Sequence, residues 1–209
     1  MARKWLAAAV LVVLTGLVAN AVAQDQKNEL TGIIGRTFVS NHHVVGLAVD
    51  EVVTSGNGLT FEVNYGRRLW GSGPLSLTAE VPAAFNLDED IHLKANLVPA
   101  SYRSIFVTPS IRANLFPGTG FSPWVSVGGG FGYFGESSKL EFGGANPGKT
   151  GTTTGVLQIG AGFDVKIFGP FSLRAQVRDF RSGVPQLNVN TGSSTQHNLF
   201  AGGGLIWHF

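Results

Sequence analysis

The chain has 209 residues, of which 13% are charged, with 29 glycines and no cysteine. Its 15 lysines and arginines stand against 13 acidic residues, so the composition excludes a strongly basic surface of the kind that binds nucleic acid. A disulfide framework is excluded as well, and so few charges with so many glycines are unusual for a soluble domain.

The first 23 residues predict a secretory signal peptide. Arg3 and Lys4 give a positive start, residues 5–18 are largely apolar, and Ala21-Val22-Ala23 matches a small-x-small cleavage site. The alternative, a membrane-spanning helix, needs about 18 or more apolar residues, which is more than this run provides. Cleavage would leave residues 24–209 as one formally neutral domain, in which no run is long and apolar enough for a transmembrane helix.

Alternating apolar and polar residues predict strands along the rest of the chain. The first, 28–39, has apolar residues on both faces. After a loop at 40–57, the strand at 59–66 alternates cleanly and stops at a Gly- and Pro-containing turn, 70–74. The third strand, 75–85, precedes a second long loop.

The pattern continues through the middle of the chain. A fourth strand at 104–115 is followed by the tight turn Pro117-Gly118-Thr119-Gly120. A fifth at 124–133 leads into a third long loop, 135–153. A sixth strand covers 157–167.

The end of the chain adds two more strands. Phe168-Gly169-Pro170 turns into a seventh strand at 171–178, and a fourth long loop leads to 198–209. Connections therefore alternate between long and short, and the strands have the 9 to 11 residues that cross a bilayer when tilted. We predict an all-β fold, an eight-stranded antiparallel up-and-down transmembrane β-barrel.

The distribution of charge separates this barrel from its soluble alternative, a lipocalin-like barrel with charges outside. One face of strands two to eight is apolar throughout, whereas the other mixes glycines with charges. We predict that these charges form a network in the lumen: Glu62, Glu80, Arg112, Asp164, Lys166, Arg174 and Arg178. Its role is either a plug that holds the strands in register or a narrow conductive path.

Aromatic residues near the strand ends predict two membrane-interface girdles. The short-turn girdle comprises Trp70, Phe116, Phe121, Trp124, Phe168, Phe171, Trp207 and Phe209. The long-loop girdle comprises Phe85, Tyr102, Tyr133, Phe134 and Phe180.

These features together resemble the small outer-membrane β-barrel family typified by the OmpA transmembrane domain, over about residues 28–209. The resemblance implies short turns in the periplasm, long loops outside the cell and residence in the lipid bilayer of the outer membrane. It also implies that the barrel-assembly machinery reads the last strand through Gly204, Trp207 and Phe209. Gly202 departs from the polar residue usual at its position.

Three patterns suggest chemistry, but each has a plainer interpretation. His42-His43 with Asp50 and Glu51 contains metal-ligand types, although adjacent histidines on a loop fix no geometry. His197 resembles the histidine of outer-membrane lipid A deacylases, yet the His-x-Ser spacing is absent. The glycine clusters 128–130 and 202–204 lack the context of a phosphate loop and are expected to serve barrel curvature or aromatic packing.

The sequence therefore predicts a non-enzymatic outer-membrane barrel with a structural role in the envelope, without cofactor or metal. A narrow porin-like channel for ions or small solutes is one alternative. The other is a binding or adhesion module that recognises an extracellular partner through its loops.

Overall fold

The computed structural model describes residues 26–46 and 51–209. The predicted signal peptide, residues 1–23, lies outside the described residues. No helix in the described part of the chain is long and apolar enough to cross a membrane.

The described residues form an all-β fold of antiparallel strands. Eleven strands are present: β1 (Asn28–Val39), β2 (His42–His43), β3 (Val52–Ser55), β4 (Asn57–Ser72), β5 (Leu75–His92), β6 (Ser101–Val107), β7 (Ser110–Leu115), β8 (Phe121–Glu136), β9 (Thr152–Phe168), β10 (Phe171–Ser182) and β11 (Gln196–His208). Because β6 and β7 are two halves of one barrel strand and β2 and β3 form a small hairpin in the first long loop, eight strands make the ring.

Each barrel strand pairs with its sequence neighbour, and β11 pairs with β1, which closes the sheet. The last residue shares in this closure, since Asn28 and Phe209 exchange two main-chain hydrogen bonds of 3.0 and 2.9 Å. Closure leaves no exposed sheet edge, as a barrel in lipid requires. The predicted eight-stranded up-and-down barrel is confirmed.

The short connections all lie at one end of the ring. Gly73 and Gly169 adopt positive φ in the β4–β5 and β9–β10 turns, and Phe116 and Gly118 do so between β7 and β8. Glycine adopts this backbone region at little cost. The prediction of short turns at one end and long loops at the other is therefore correct.

The strands at the long-loop end extend further than the alternation indicated. β5 continues to His92, through acidic residues that were predicted to lie in a loop, and β8 and β9 also run beyond the predicted ends. The fourth predicted strand is interrupted at Thr108-Pro109, because proline has no N–H to donate to the sheet. Inward-facing Gly128 and Gly130 leave room there, since a Cβ on either would meet the backbone of residues 107–110.

The stagger of the strands sets the width of the barrel. Following paired residues one way from Ile34, through Phe61, Phe85, Ile105 and Tyr133, leads to Thr153 on β9. Following them the other way, through Gly203 and Ala175, leads to Phe163, ten residues further along β9. Eight strands with such a stagger enclose a lumen that side chains can fill.

The outer surface is an apolar belt. Every barrel strand contributes an outward aliphatic side chain that is more than two-fifths exposed: Ile34, Val63, Val81, Ile111, Val127, Ile159, Leu173 and Leu205. A soluble barrel would turn such residues inward, whereas a lipid-exposed surface requires them outside. The predicted orientation of the alternating faces is therefore correct.

The girdles are only partly as predicted. At the short-turn end Trp70, Phe116, Phe121 and Phe168 are outward and exposed. Four predicted girdle residues are instead buried in the lumen: Tyr102, Trp124, Phe134 and Phe180. The prediction was wrong for these four because it grouped residues by nearness to a strand end, whereas alternation along the strand decides which side a residue faces.

Candidate functional site

The half of the lumen nearest the short turns holds a buried ion-pair network. Glu80 lies at its centre: Arg178 Nη1 donates to Glu80 Oε1 over 2.9 Å, and Arg112 Nη1 lies 3.3 Å from Glu80 Oε2. Asn64 and Ser110 also donate to the Glu80 carboxylate. The surrounding hydrogen bonds replace the water that this charge loses on burial.

Two further acids extend the network towards the short-turn end. Arg174 holds Asp164 through two parallel hydrogen bonds of 2.7 Å, the bidentate geometry favoured between arginine and carboxylate. Glu29 accepts from Arg112 over 2.7 Å and from Arg174 over 3.1 Å. Glu29 thereby joins the two arginines.

Glu62 is the most weakly held acid of the network. Its Oε2 accepts a 2.9 Å hydrogen bond from Gln176 and lies 3.4 Å from Arg178 Nε, while its Oε1 is buried without a partner. The network therefore contains four carboxylates, those of Glu29, Glu62, Glu80 and Asp164, and three guanidinium groups.

The three arginines of the network pack against the ring of Trp124. The guanidinium carbons of Arg112, Arg174 and Arg178 lie 5.5, 5.1 and 5.1 Å from the centre of its ring, within cation–π range. Its indole N–H donates to Asp164 over 3.1 Å. Inward-facing Gly162 leaves space for the ring, since a Cβ there would lie 2.6 Å from Trp124 Cζ2.

The structure brings six of the seven predicted lumen charges together. The seventh, Lys166, is exposed at the short-turn end of β9, one inward position beyond Asp164, and makes no ion pair within the described part of the chain. Glu29 was missed because the mixed apolar pattern of β1 did not indicate which of its faces points inward. Trp124 was missed because it was assigned to the girdle.

The half of the lumen nearest the long loops holds a cluster of aromatic side chains. Phe106 stacks on Phe180 with ring centres 5.2 Å apart, and Phe134 packs edge-on against both Phe106 and Tyr102. Phe200 is fully buried in the same cluster. Gly132 faces Phe106, and a Cβ there would lie 2.8 Å from its ring. This aromatic plug fills the lumen beside the charged network.

The outer loops fold over the plug. They contribute Val53, Leu93, Val98 and Leu187 to one apolar core with it, and Ile91 joins this core from the end of β5. The second and third loops are joined by reciprocal hydrogen bonds, from Asn96 Nδ2 to Gly143 O and from Phe142 N to Asn96 Oδ1. The loop end of the barrel is therefore closed.

A buried acid lies in this closed end. Glu89 stands on β5 beyond Leu87, the last outward apolar residue of that strand, and is therefore outside the apolar belt. Its Oε2 accepts from Gly58 N and Asn86 Nδ2, while its Oε1 has no partner. Burial raises the pKa of Glu89 to about 7.

The opposite end is open. A cavity of about 470 Å³ enters from the short turns and reaches Glu29, Arg112 and Asp164. Lys166 and His208 also line this vestibule. The network is consequently accessible from the short-turn end, whereas the plug and loops cover it from the other.

The histidines of the two sequence patterns, His42-His43 and His197, lie in different environments. His42 is buried and pairs with Gln196 Oε1 at 3.2 Å, His43 is exposed, and Asp50 lies outside the described residues. No group of three or more potential ligands among residues 26–46 and 51–209 could hold a metal ion. His197 is on the outer surface, with its Nδ1 2.7 Å from Asp179 Oδ2.

The predicted assembly-signal residues lie on β11. Gly204 faces inward against β1, where a Cβ would meet the carbonyl oxygen of Gly32. The rings of Trp207 and Phe209 pack 4.8 Å apart at the short-turn end.

Comparison with known proteins places this geometry in a structural class. No family model matches the chain, and no curated protein matches its sequence. The crystal structure of Neisserial surface protein A matches with a TM-score of 0.53 and 12% identity, over 87% of this chain and 97% of that one. Outer membrane protein OprG from Pseudomonas aeruginosa matches with a TM-score of 0.50 and 10% identity, over 88% and 95%.

The chain has the fold of the small outer-membrane β-barrels. Ail, the attachment invasion locus protein of Yersinia pestis, also matches, over 87% of this chain and 99% of its own, with a TM-score of 0.44 and 14% identity. At such identities the likeness concerns the fold alone. For this outer-membrane barrel the sites must therefore be interpreted from its own residues.

Proposed function

We propose that the chain is a non-enzymatic outer-membrane protein whose barrel has a structural role in the cell envelope. One observation carries this proposal: beyond the vestibule the lumen is closed, first by the ion-pair network and then by the aromatic plug. A closed lumen favours a rigid membrane element over a conduit. Export through a cleaved signal peptide at residues 1–23 and folding by the barrel-assembly machinery belong to the same proposal.

Planar-bilayer recording of the refolded protein tests the structural role. We expect no channel events from the wild type, because ions would have to displace the stacked rings of Phe106 and Phe180. Resolved conductance steps from the wild type would overturn the proposal. Cell fractionation tests the location, and recovery in the inner membrane or the soluble fraction would contradict it.

A narrow channel is the second candidate, and the vestibule is the observation that favours it. The cavity leads solvent from the short turns as far as Arg112, and the buried ion pairs around Glu80 and the plug separate it from the loops. If the plug is a gate, Phe106→Ala with Phe134→Ala should produce conductance in a barrel that remains folded. A silent, folded double variant would count against the channel.

A further inference from the structure

The vestibule at the short-turn end has an almost entirely polar lining. Among the described residues around it, Pro117 alone contributes an apolar side chain. Its volume of about 470 Å³ falls within the range of about 300–1,000 Å³ that small-molecule sites occupy. Such sites usually have predominantly hydrophobic walls, so this lining favours a ligand that is hydrophilic throughout.

Basic groups outnumber acidic ones in the vestibule. Within the described part of the chain, four lysine or arginine side chains and two carboxylates line it: Lys27, Arg68, Arg112, Lys166, Glu29 and Asp164. Both carboxylates are already held by arginines, Asp164 by Arg174 and Glu29 by Arg112 and Arg174. The surplus of positive charge therefore raises the local concentration of anions.

Lys166 is the basic group best placed to contact a ligand. It pairs across β9 and β10 with Ser172, whose side chain is buried in the lumen, so Lys166 also faces the interior. It is exposed to the vestibule and makes no ion pair with any other described residue. Its ammonium group has three N–H donors, so it can approach an anion without giving up an existing ion pair.

The wall formed by β5 and β7 offers hydroxyl groups. Asn114 Nδ2 donates to Ser76 Oγ over 3.2 Å and to Thr78 Oγ1 over 3.0 Å. A hydroxyl group that accepts a hydrogen bond retains its own hydrogen for donation. This wall can therefore offer two O–H donors to a ligand. It lies three strands around the ring from Lys166, with β7 and β8 between β5 and β9.

We propose that the vestibule binds a small hydrophilic organic anion, with a carboxylate or phosphate group at Lys166 and further oxygen atoms at Ser76 and Thr78. The donors select a ligand rich in oxygen acceptors. An inorganic anion would meet Lys166 alone, whereas an organic one can also extend to the β5 wall. With the short turns in the periplasm, as the proposed envelope role requires, this is a periplasmic site. The ion pairs around Glu80 and the plug close it behind the ligand.

The test is isothermal titration calorimetry of the folded protein in neutral detergent at low ionic strength. The probes are glucose 6-phosphate and citrate, with glucose as the uncharged counterpart and inorganic phosphate as the small one. We expect one molecule of either organic anion to bind per barrel, at least tenfold more tightly than phosphate, and glucose not to bind.

Two substitutions locate the bound anion. Lys166→Gln should weaken binding at least tenfold, and Thr78→Val should weaken it about threefold with every charge intact. Lys139→Gln is the matched control, because Lys139 is an exposed lysine at the loop end of the barrel. Heat-modifiable gel mobility checks that each variant is folded.

Three results would overturn the inference: no saturable binding of either organic anion, equal binding of glucose, or an unchanged affinity in Lys166→Gln. Phosphate that binds as tightly as the organic anions would indicate a site for inorganic phosphate instead. Equal losses in Lys139→Gln and Lys166→Gln would indicate non-specific attraction.

Release of glucose 6-phosphate from sealed vesicles separates this site from the proposed function. The wild type should retain the trapped anion, because the lumen is closed beyond the vestibule. Release would contradict the structural role, whereas absence of binding in a barrel that keeps the vesicles sealed would overturn the anion site and leave the structural role intact.

Discussion

Arg178 provides the sharpest test of the lumen network. Its side chain is fully buried, donates to Glu80, lies 3.4 Å from Glu62 and rests on Trp124. Arg178→Met keeps much of the volume but removes the charge, which leaves Glu62 with one hydrogen bond, from Gln176. Removing one partner of a buried ion pair costs about 3–5 kcal/mol, because the remaining charge is buried without compensation. We expect a loss of that size in the free energy of unfolding.

Glu62→Gln should cost far less, since the network already has one more carboxylate than guanidinium groups. Combined with Arg178→Met, Glu62→Gln should recover part of the lost stability, with a coupling energy of about 0.5–3 kcal/mol. The assay is urea unfolding in neutral lipid vesicles, followed by heat-modifiable gel mobility. Arg181→Met is the control, because Arg181 is exposed on the same strand and should change stability by about 0.5 kcal/mol or less. If Arg178→Met matched this control, the reasoning about the network would be refuted.

Three other predictions use different parts of the barrel. Phe209→Asp should lower the amount of protein assembled in the outer membrane, measured by fractionation, and normal levels would contradict a role in assembly. Gly162→Val should destabilise the barrel by about 1–3 kcal/mol, because its side chain would overlap the Ala175 carbonyl oxygen and the ring of Trp124. Gly155→Val should not destabilise the barrel, because the structure leaves open space at that position. Equal urea midpoints for the two glycine variants would contradict this packing argument. Burial raises the pKa of Glu89 from 4.5 to about 7, so the wild type should lose stability as pH rises through that interval. The gain in free energy of unfolding of Glu89→Gln over the wild type should therefore grow up to about pH 7 and then level off. A difference between the two proteins that does not depend on pH would contradict this prediction.

Alternation along the strands was enough to predict the ring of eight strands. A period of two assigns each residue to one side of the sheet, and the glycine and proline turns set the strand order. It therefore placed Glu62, Glu80 and Arg174 inside without any knowledge of their partners. Lipid exposure was inferred from the other face, which carries no charge through the middle of strands two to eight, whereas a soluble barrel turns its charges outward.

Alternation gives no information about height along the barrel axis or about contacts across the lumen. It assigns Phe134 to the inner side of β8 but does not predict that its ring packs against Phe106 and Tyr102. The placement of Trp124 under three arginines depends on the stagger of β8 against β7 and β10, which the sequence does not specify. Glu29 became recognisable as a lumen acid only once the pairing of β1 was known.

The contacts of the lumen charges have a consequence for the order of events in assembly. Glu80 on β5 meets Arg178 on β10, four strands away around the ring in either direction, and Glu29 on β1 meets Arg112 on β7. Neither contact can form within a hairpin or an open sheet. Until β11 pairs with β1, Arg178 and Glu29 therefore lack these partners across the lumen and stay in contact with water. Closure of the seam should therefore coincide with the release of water from the interior, and late assembly should behave as a single cooperative step.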